Sequence, residues 1–406
     1  MQAKRIMRTT FAMILALSLV SASVLAQGTT RHSQPSTKSA TLAKSATFAK
    51  SAGLAALASP QQQEPATEPT HPSQTEISFT AVGDVMLGSA WPNGGWLPPD
   101  DGTGLLAEVA PVLSASDITF GNLEGPMVDD GTSTKCPEAS SRCYAFRVPT
   151  RYGRYLKEAG FNVMSLANNH ALDFGAAGRQ SSKRVLDGLG IAHSGEVGDI
   201  AHLRVKGKQI ALIAFTTYDT SYNLNNIEMA RQLVRDLATR ADLVVVSFHG
   251  GGEGAGYQHV PYASELFLGE NRGNLRQFAH AVIDAGAALV IGHGPHVVRG
   301  MEIYRGHLIA YSLGNFATYG SFNLSGPQGL SLILQARLAA DGRFLGGRIH
   351  PVRQERPGGP RLDPNRAIIP LLTQLSQQDF GASAVRISAD GVISPPAESA
   401  PLARDK

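Results

Sequence analysis

Cysteine is nearly absent from this sequence. Two occur in 406 residues, Cys136 and Cys143, which excludes a disulfide-built scaffold and a four-thiolate metal cluster. Six residues lie between them in a loop, and in an oxidising compartment they are expected to pair. A large excess of either charge is also missing. The formal net charge is +3, and Lys4, Arg5 and Arg8 at the N-terminus account for all of it. Without them, 33 basic side chains face 33 acidic ones. Residues 27–75 hold four of the basic and two of the acidic groups, so the remainder is slightly acidic, 29 against 31. That balance builds no basic face for a nucleic-acid backbone, and no nucleic-acid partner is expected. The leading apolar run, Phe11 to Val20, is shorter than the roughly 20 residues a helical membrane span needs.

What is present divides the chain. Residues 1–26 read as a signal peptide, with a basic stretch, the short apolar run, and Val24-Leu25-Ala26 suited to cleavage after Ala26. The expected localisation is therefore periplasmic or extracellular, the alternative being an N-terminal membrane anchor. No cysteine follows the apolar run, which argues against a lipoprotein. Residues 27–75 are rich in Ala, Ser, Thr, Lys, Pro and Gln and carry the hexads KSATLA, KSATFA and KSAGLA. A six-residue period suits neither a helix nor a heptad, and the segment reads as a disordered low-complexity linker. The ordered domain is expected over residues 76–355. A Pro- and Gly-rich, partly disordered extension, residues 356–406, follows it.

Within the domain, strands and helices alternate. Strands are predicted at Ile77–Gly83, Ile118–Phe120, Phe161–Ala167, Asp242–Phe248 and Ala288–Gly292. Helices are predicted at Leu105–Leu113, Arg151–Ala159, Gly175–Leu189, Ile227–Arg240 and Arg272–Ala285. Three hairpins turn at Lys206-Gly207-Lys208, Arg305-Gly306 and Asp341-Gly342. Beyond them a helix over Ile368–Leu375 and a short strand over Ala384–Ile387 are expected. The fold class is α/β, with a mixed two-sheet sandwich and helices outside.

The chemistry gathers at the strand ends. ISFTAVGD puts Asp84 just past the first strand. DITFGNLEG puts Asn122 and Glu124 past the second, and FNVMSLANNH puts Asn168, Asn169 and His170 past the third. LVVVSFHGGGE supplies His249 and then Glu253. LVIGHGPHVV supplies His293 and His296 on a turn forced by Gly292, Gly294 and Pro295. An open α/β sheet keeps its ligands at such ends. One strand ending in a polar residue is ordinary, but five ending in Asp, Glu, Asn or His form a pattern. Carboxylates and imidazoles together suit divalent manganese, iron or zinc. A carboxylate such as Glu124 can bridge two ions, and paired ions can activate a water between them.

These motifs, GD, GNLE, ANNH, FHGG with Glu253, GHGPHVV and YSLGNF, resemble in order and spacing the CapA family, named after proteins of poly-γ-glutamate capsule synthesis. The resemblance covers roughly Ile77 to Val352. It implies a four-layer αββα sandwich of the calcineurin-like metallophosphoesterase type. It also implies one or two divalent metal ions (Mn, Fe or Zn) on Asp84, Glu124, Asn169, His249, His293 and His296, with His170 as general acid. Asn122, Asn168, Glu253 and Asn315 are expected to support ligands or substrate. Two departures stand out. Met86 occupies the position where phosphoesterases carry a histidine, and the final histidine pair is separated by two residues rather than one. The function implied is an exported metal-dependent hydrolase in biosynthesis or processing of a capsule or envelope polymer of the poly-γ-glutamate type. That polymer and membrane capsule-synthesis proteins are the implied partners. Two alternatives are a non-catalytic capsule-assembly or polymer-binding protein and a metal-dependent phosphodiesterase.

Overall fold

The computed structural model describes residues 75–136, 143–320 and 322–396. The expected signal peptide, almost all of the hexad-repeat linker and the last ten residues lie outside the described residues. In chain order the elements are β1 (Ile77–Met86), α1 (Ala110–Leu113), β2 (Ile118–Leu123), α2 (Gly153–Glu158), β3 (Val163–Ser165), α3 (Gly175–Gly188) and β4 (Ala192–Ser194). There follow β5 (Ala201–Val205), β6 (Lys208–Thr216), β7 (Tyr222–Asn223), α4 (Ile227–Ala238), β8 (Leu243–His249), β9 (Leu266–Phe267) and β10 (Glu270–Asn271). Then come α5 (Leu275–Asp284), β11 (Leu289–His293), β12 (Met301–Tyr304), β13 (His307–Ala310), β14 (Asn315–Thr318), β15 (Leu330–Leu338) and β16 (Phe344–Arg353). The described chain closes with β17 (Arg361–Leu362), α6 (Ile368–Phe380), β18 (Arg386–Ile387) and β19 (Val392–Ser394).

Two mixed sheets result. The first runs β18-β19-β16-β15-β1-β2-β3-β4, with β14 also on β1 and β17 on β16. The second runs β12-β13-β11-β8-β6-β5, with β7 on β6. In the first sheet β1, β2, β3 and β4 are mutually parallel, and β14 is parallel to β1. In the second, β6, β8, β11 and β13 are parallel. Each parallel set therefore delivers its C-terminal ends to one edge.

The period of two along each strand sets the layers. In β8, Val245 joins an inter-sheet cluster with Phe79, Phe120, Leu289 and Leu334. Its neighbours Val244 and Val246 point the other way, onto Ala230 and Val234 of α4 and Phe278 and Val282 of α5. A strand buried on both faces must be apolar throughout, which is why this segment reads LVVV. Val82 and Val85 of β1 likewise face Leu113, Leu156 and Leu186 of α1, α2 and α3. The order is helix, sheet, sheet, helix, an αββα sandwich. Asn226 and Asn274 cap α4 and α5 by accepting from the N–H of Met229 and Gln277. Each such cap is worth about 1 kcal/mol.

The differences from expectation have local causes. The helix predicted from Leu105 shrinks to Ala110–Leu113, because Gly102 and Gly104 sit at φ 80° and 79° and the chain between winds in single turns. Strand β14 was not predicted; Asn315–Thr318 reads as a turn, yet it pairs with β1. Strands β17 and β19 pair with β16, so chain beyond residue 355 continues the same sheet. Among the described residues, no helix is long and apolar enough to cross a membrane.

Candidate metal centre

The registers of the two sheets line up the strand-end donors. Asp84 on β1 lies opposite Asn122 on β2 and opposite Asn315 on β14. His293 on β11 lies opposite His249 on β8. The pairing of β1 shifts on both sides at Asp84, an irregularity of the kind that re-aims a side chain next to a site. Gly83 permits the crowding there, since a Cβ at that position would meet the Gly314 carbonyl oxygen at 1.9 Å. His296 follows on a turn in which it holds φ 56°, a strained value for a residue with a Cβ. That backbone aims the imidazole back at Asp84.

Asp84, Glu124 and His296 converge, with one ligand atom of each within 4.8 Å of the others. His296 Nδ1 lies 3.0 Å from Asp84 Oδ2 and 3.1 Å from Asn315 Oδ1. Both partners are acceptors, so Nδ1 carries the proton. In the neutral ring Nε2 is then a bare lone pair, 3.7 Å from Glu124 Oε1. His293 follows the same logic. Its Nε2 faces the Val82 carbonyl oxygen at 3.1 Å, which leaves Nδ1 open. Such outer partners are what orient metal-ligating histidines. His249 Nε2 lies 3.8 Å from Glu124 Oε1. Separations of 3.7 and 3.8 Å exceed a hydrogen bond.

The donor set fits a cation. Both oxygens of Glu124, Asn169 Oδ1, His249 Nε2 and His293 Nδ1 are buried and have no hydrogen-bond partner. Leaving one such atom unpaired costs about 1–3 kcal/mol; the Glu124 oxygens and His249 Nε2 border the Asp84–Glu124–His296 group, which His249 and His293 do not join within 4.8 Å. The titration directions agree. Burial and then the Asp84 charge push the Glu124 carboxyl well above the carboxylate range. Burial pulls His296 down, but Glu124 and Asp84 outweigh it and push the imidazole up to about 10. Burial holds His249 well below the ordinary histidine value, with Arg272 adding to the effect, and burial also lowers His293. A cation held by these residues would favour their deprotonated forms.

Behind the ligands runs a chain of amides. His170 N–H donates to Asn168 Oδ1 (3.0 Å), Asn168 Nδ2 to Asn122 Oδ1 (3.0 Å), and Asn122 Nδ2 to Asp84 Oδ1 (2.9 Å). His170 itself has Nδ1 2.7 Å from Asp173 Oδ2, which turns its other nitrogen away from that carboxylate. Burial lowers its pKa, Asp173 opposes that, and Lys135, at 3.3 Å, reinforces it. His170, Glu253 and His296 line one cleft of about 310 Å³ together with Tyr144, Phe146, Phe322, Asn323, Gln328 and Arg356.

Several expected residues take unexpected partners, and others escaped notice. Asn315 bonds His296 and, through Nδ2, the Gln328 carbonyl oxygen. Glu253 pairs with Arg272 at 2.8 Å and has no hydrogen bond to His249 among the described residues. Met86 is buried in the helix-side core, its sulfur accepting from the Gly88 N–H. Asp173, fully buried, accepts from Lys135 and the Phe146 N–H as well as facing His170. Its signal was the i, i+3 spacing after His170. Arg272, predicted as the first residue of a helix, lies before α5 and is 2% exposed. Cys136 and Cys143 are bonded, closing a loop between Lys135 and Tyr144.

Comparison with known proteins follows the same motifs. The chain is 28% identical over 284 residues to the capsule biosynthesis protein CapA of Bacillus anthracis, covering 65% of each chain. It is 30% identical over 262 residues to the PGA biosynthesis protein CapA of Bacillus subtilis (strain 168), covering 60% of this chain and 64% of the other. The chain thus spans slightly less than two thirds of the length of these relatives. A crystal structure of a putative 5′-nucleotidase from Staphylococcus aureus overlaps 80% of this chain and 55% of its own at a TM-score of 0.38 and 12% identity. Residues 78–319 match the family of bacterial capsule synthesis proteins designated PGA_cap. With more than half its length in that match, this chain belongs to the PGA_cap capsule synthesis family.

Proposed function

We propose that this protein is an exported, metal-dependent hydrolase acting on a capsule-type envelope polymer of the poly-γ-glutamate class. The observation that carries the reading is the convergence of Asp84, Glu124 and His296 around buried Glu124 oxygens that have no hydrogen-bond partner. The names of the Bacillus relatives supply the polymer class. Membrane capsule-synthesis proteins are the proposed partners.

Asp84, Glu124, Asn169, His249, His293 and His296 would hold divalent manganese, iron or zinc. Such an ion supplies Lewis acidity to a carbonyl or phosphoryl oxygen and eases deprotonation of a water. The chain's own residues do the rest. Asp173 holds the His170 proton at Nδ1. Nε2 is then free to exchange a proton with the leaving group or the attacking water. Burial favours the neutral form of His170, with Asp173 opposing it. Phe146, whose ring centroid lies 4.4 Å from that of His170, shields one face of the imidazole from water.

A second reading, binding of the polymer without turnover, draws on Met86. Its sulfur is turned onto a backbone N–H, so one half of a paired site lacks a donor. The test is metal content and cleavage by the full chain beside Asp84→Ala and His296→Ala. Transition metal in the wild type, lost from both variants, with metal-dependent cleavage of a γ-linked glutamyl oligomer, is the expected result. Folded protein that takes up neither manganese nor zinc overturns the hydrolase reading. Metal uptake and polymer binding without cleavage selects the second reading. Cleavage of an aryl phosphodiester instead selects the phosphodiesterase alternative.

A further inference from the structure

The cleft carries a cation that the metal centre does not use. Arg356 is exposed on its rim and donates one N–H, from Nη2 to the Phe322 carbonyl oxygen at 3.3 Å. Among the described residues no carboxylate lies within ion-pair distance of it. Its neighbours differ: Arg353 pairs with Glu355 and Arg361 with Glu108. A guanidinium has five N–H donors in a planar fork, so four remain open toward the cleft or solvent.

Arg356 is also mechanically tied to the reacting end. Phe322, which anchors it, stacks on Phe146 at 5.1 Å and meets His296 edge-on at 5.4 Å. The same rim loop is braced by Asn315, which bonds both His296 and the Gln328 carbonyl oxygen. Asn323 Nδ2 in turn donates to Gln328 Oε1 at 2.7 Å. The cation is thus held at a defined remove from the metal ligands.

Among the described residues that line the cleft Arg356 is the one lysine or arginine, and the carboxylate there, Glu253, is already paired with Arg272. A volume of about 310 Å³ is at the small end for a ligand pocket and admits only a short segment of chain. We infer that Arg356 is a substrate-recognition residue that binds an oxyanion, carboxylate or phosphoryl, on a unit of the polymer next to the one whose bond reacts at His170. The inference rests on the hydrolase reading only for which end of the cleft is reactive. The fork geometry favours bidentate binding of either oxyanion.

The test is calorimetric binding to the metal-loaded full chain, wild type beside Arg356→Gln and Arg356→Lys. Three probes are used: a γ-linked glutamyl oligomer, its methyl ester, and a glycerol-phosphate oligomer. The wild type should bind at least one anionic oligomer about 10- to 100-fold more tightly than the neutral ester. Arg356→Gln should remove that preference and Arg356→Lys should restore part of it, with metal content and melting temperature unchanged. Which anionic oligomer shows the arginine dependence identifies carboxylate or phosphoryl. Equal binding of acid and ester by the wild type, unchanged preference in Arg356→Gln, or no binding of any probe overturns the inference. Metal uptake and cleavage with no arginine dependence sinks this inference and leaves the hydrolase standing. Arginine-dependent binding without cleavage does the reverse.

Discussion

Replacing Glu124 by Gln should move the stability of the protein in opposite directions with and without metal. Glu124 is fully buried, neither oxygen has a hydrogen-bond partner, and Asp84 shares its pocket. Without a cation the carboxyl group has no hydrogen-bond partner, only His296 Nε2 at 3.7 Å, and an unmade bond costs about 1–3 kcal/mol. Glutamine keeps the shape, removes the like-charge repulsion and brings an amide donor that Asp84 can accept. Chelator-treated Glu124→Gln should therefore melt above chelator-treated wild type, by about 2–4 °C for each kcal/mol in a domain of this size. Metal reverses the order. At a hundredfold excess over Kd, binding stabilises the wild type by about 2.7 kcal/mol, and the variant should gain little. Differential scanning calorimetry with EDTA and with manganese gives all four values. A metal-free variant less stable than metal-free wild type, or equal stabilisation of both by metal, would refute the reasoning.

Other perturbations probe the supports. Asp173→Asn should lower kcat about 10- to 100-fold with metal content retained, because His170 loses the partner that orients it; steady-state kinetics beside metal analysis checks this. Arg299→Ala leaves Glu265 charged and buried without its 2.7 Å partner, and should cost about 3–5 kcal/mol in urea unfolding. His193 supplies a pH test away from the metal centre. Burial pulls it down, but Asp199 and Asp187 prevail and its pKa is raised. A raised folded value means this contribution is present in full below about 6.5, the unfolded value. It is lost as pH rises through the folded value. The urea midpoint of the wild type should therefore fall over that window relative to His193→Gln, and parallel curves for the two proteins would contradict the assignment.

The strand-end donors were legible because an apolar run, a glycine and a polar residue make a local signature, repeated at Asp84, Asn122 and His293, while His249 follows its apolar run directly and precedes the glycines. The two sheets were legible from β-rich apolar segments alternating with capped helices. What was not legible depends on distant contacts. Strand β14 is four residues inside YSLGNFAT and becomes a strand only because β1 offers it an edge. Lys135 and Asp173 meet across 38 residues, and nothing near Lys135 announces a histidine partner. Arg272 was read as a helix start, whereas it follows the exposed Glu270 and Asn271 and turns its side chain inward to Glu253. Among the described residues the β9–β10 hairpin that presents it pairs only with itself.

The amide chain from His170 to Asp84 has a fixed sense. Every link donates toward the carboxylate; Asn168 also gives an N–H to the Leu123 carbonyl oxygen, and Asn122 Nδ2 also lies 3.4 Å from His249 Nδ1. Asparagine and aspartate are near-identical in shape, yet they are not exchangeable here. An aspartate at 122 would set oxygen against oxygen at Asp84, and one at 168 would do so at Asn122. Neither change is tolerable alone, and each would need a compensating donor at the next position. The two buried amides thus fix which atom each neighbour meets, and the seating of Asp84 and of His170 depends on nitrogen and oxygen keeping their places.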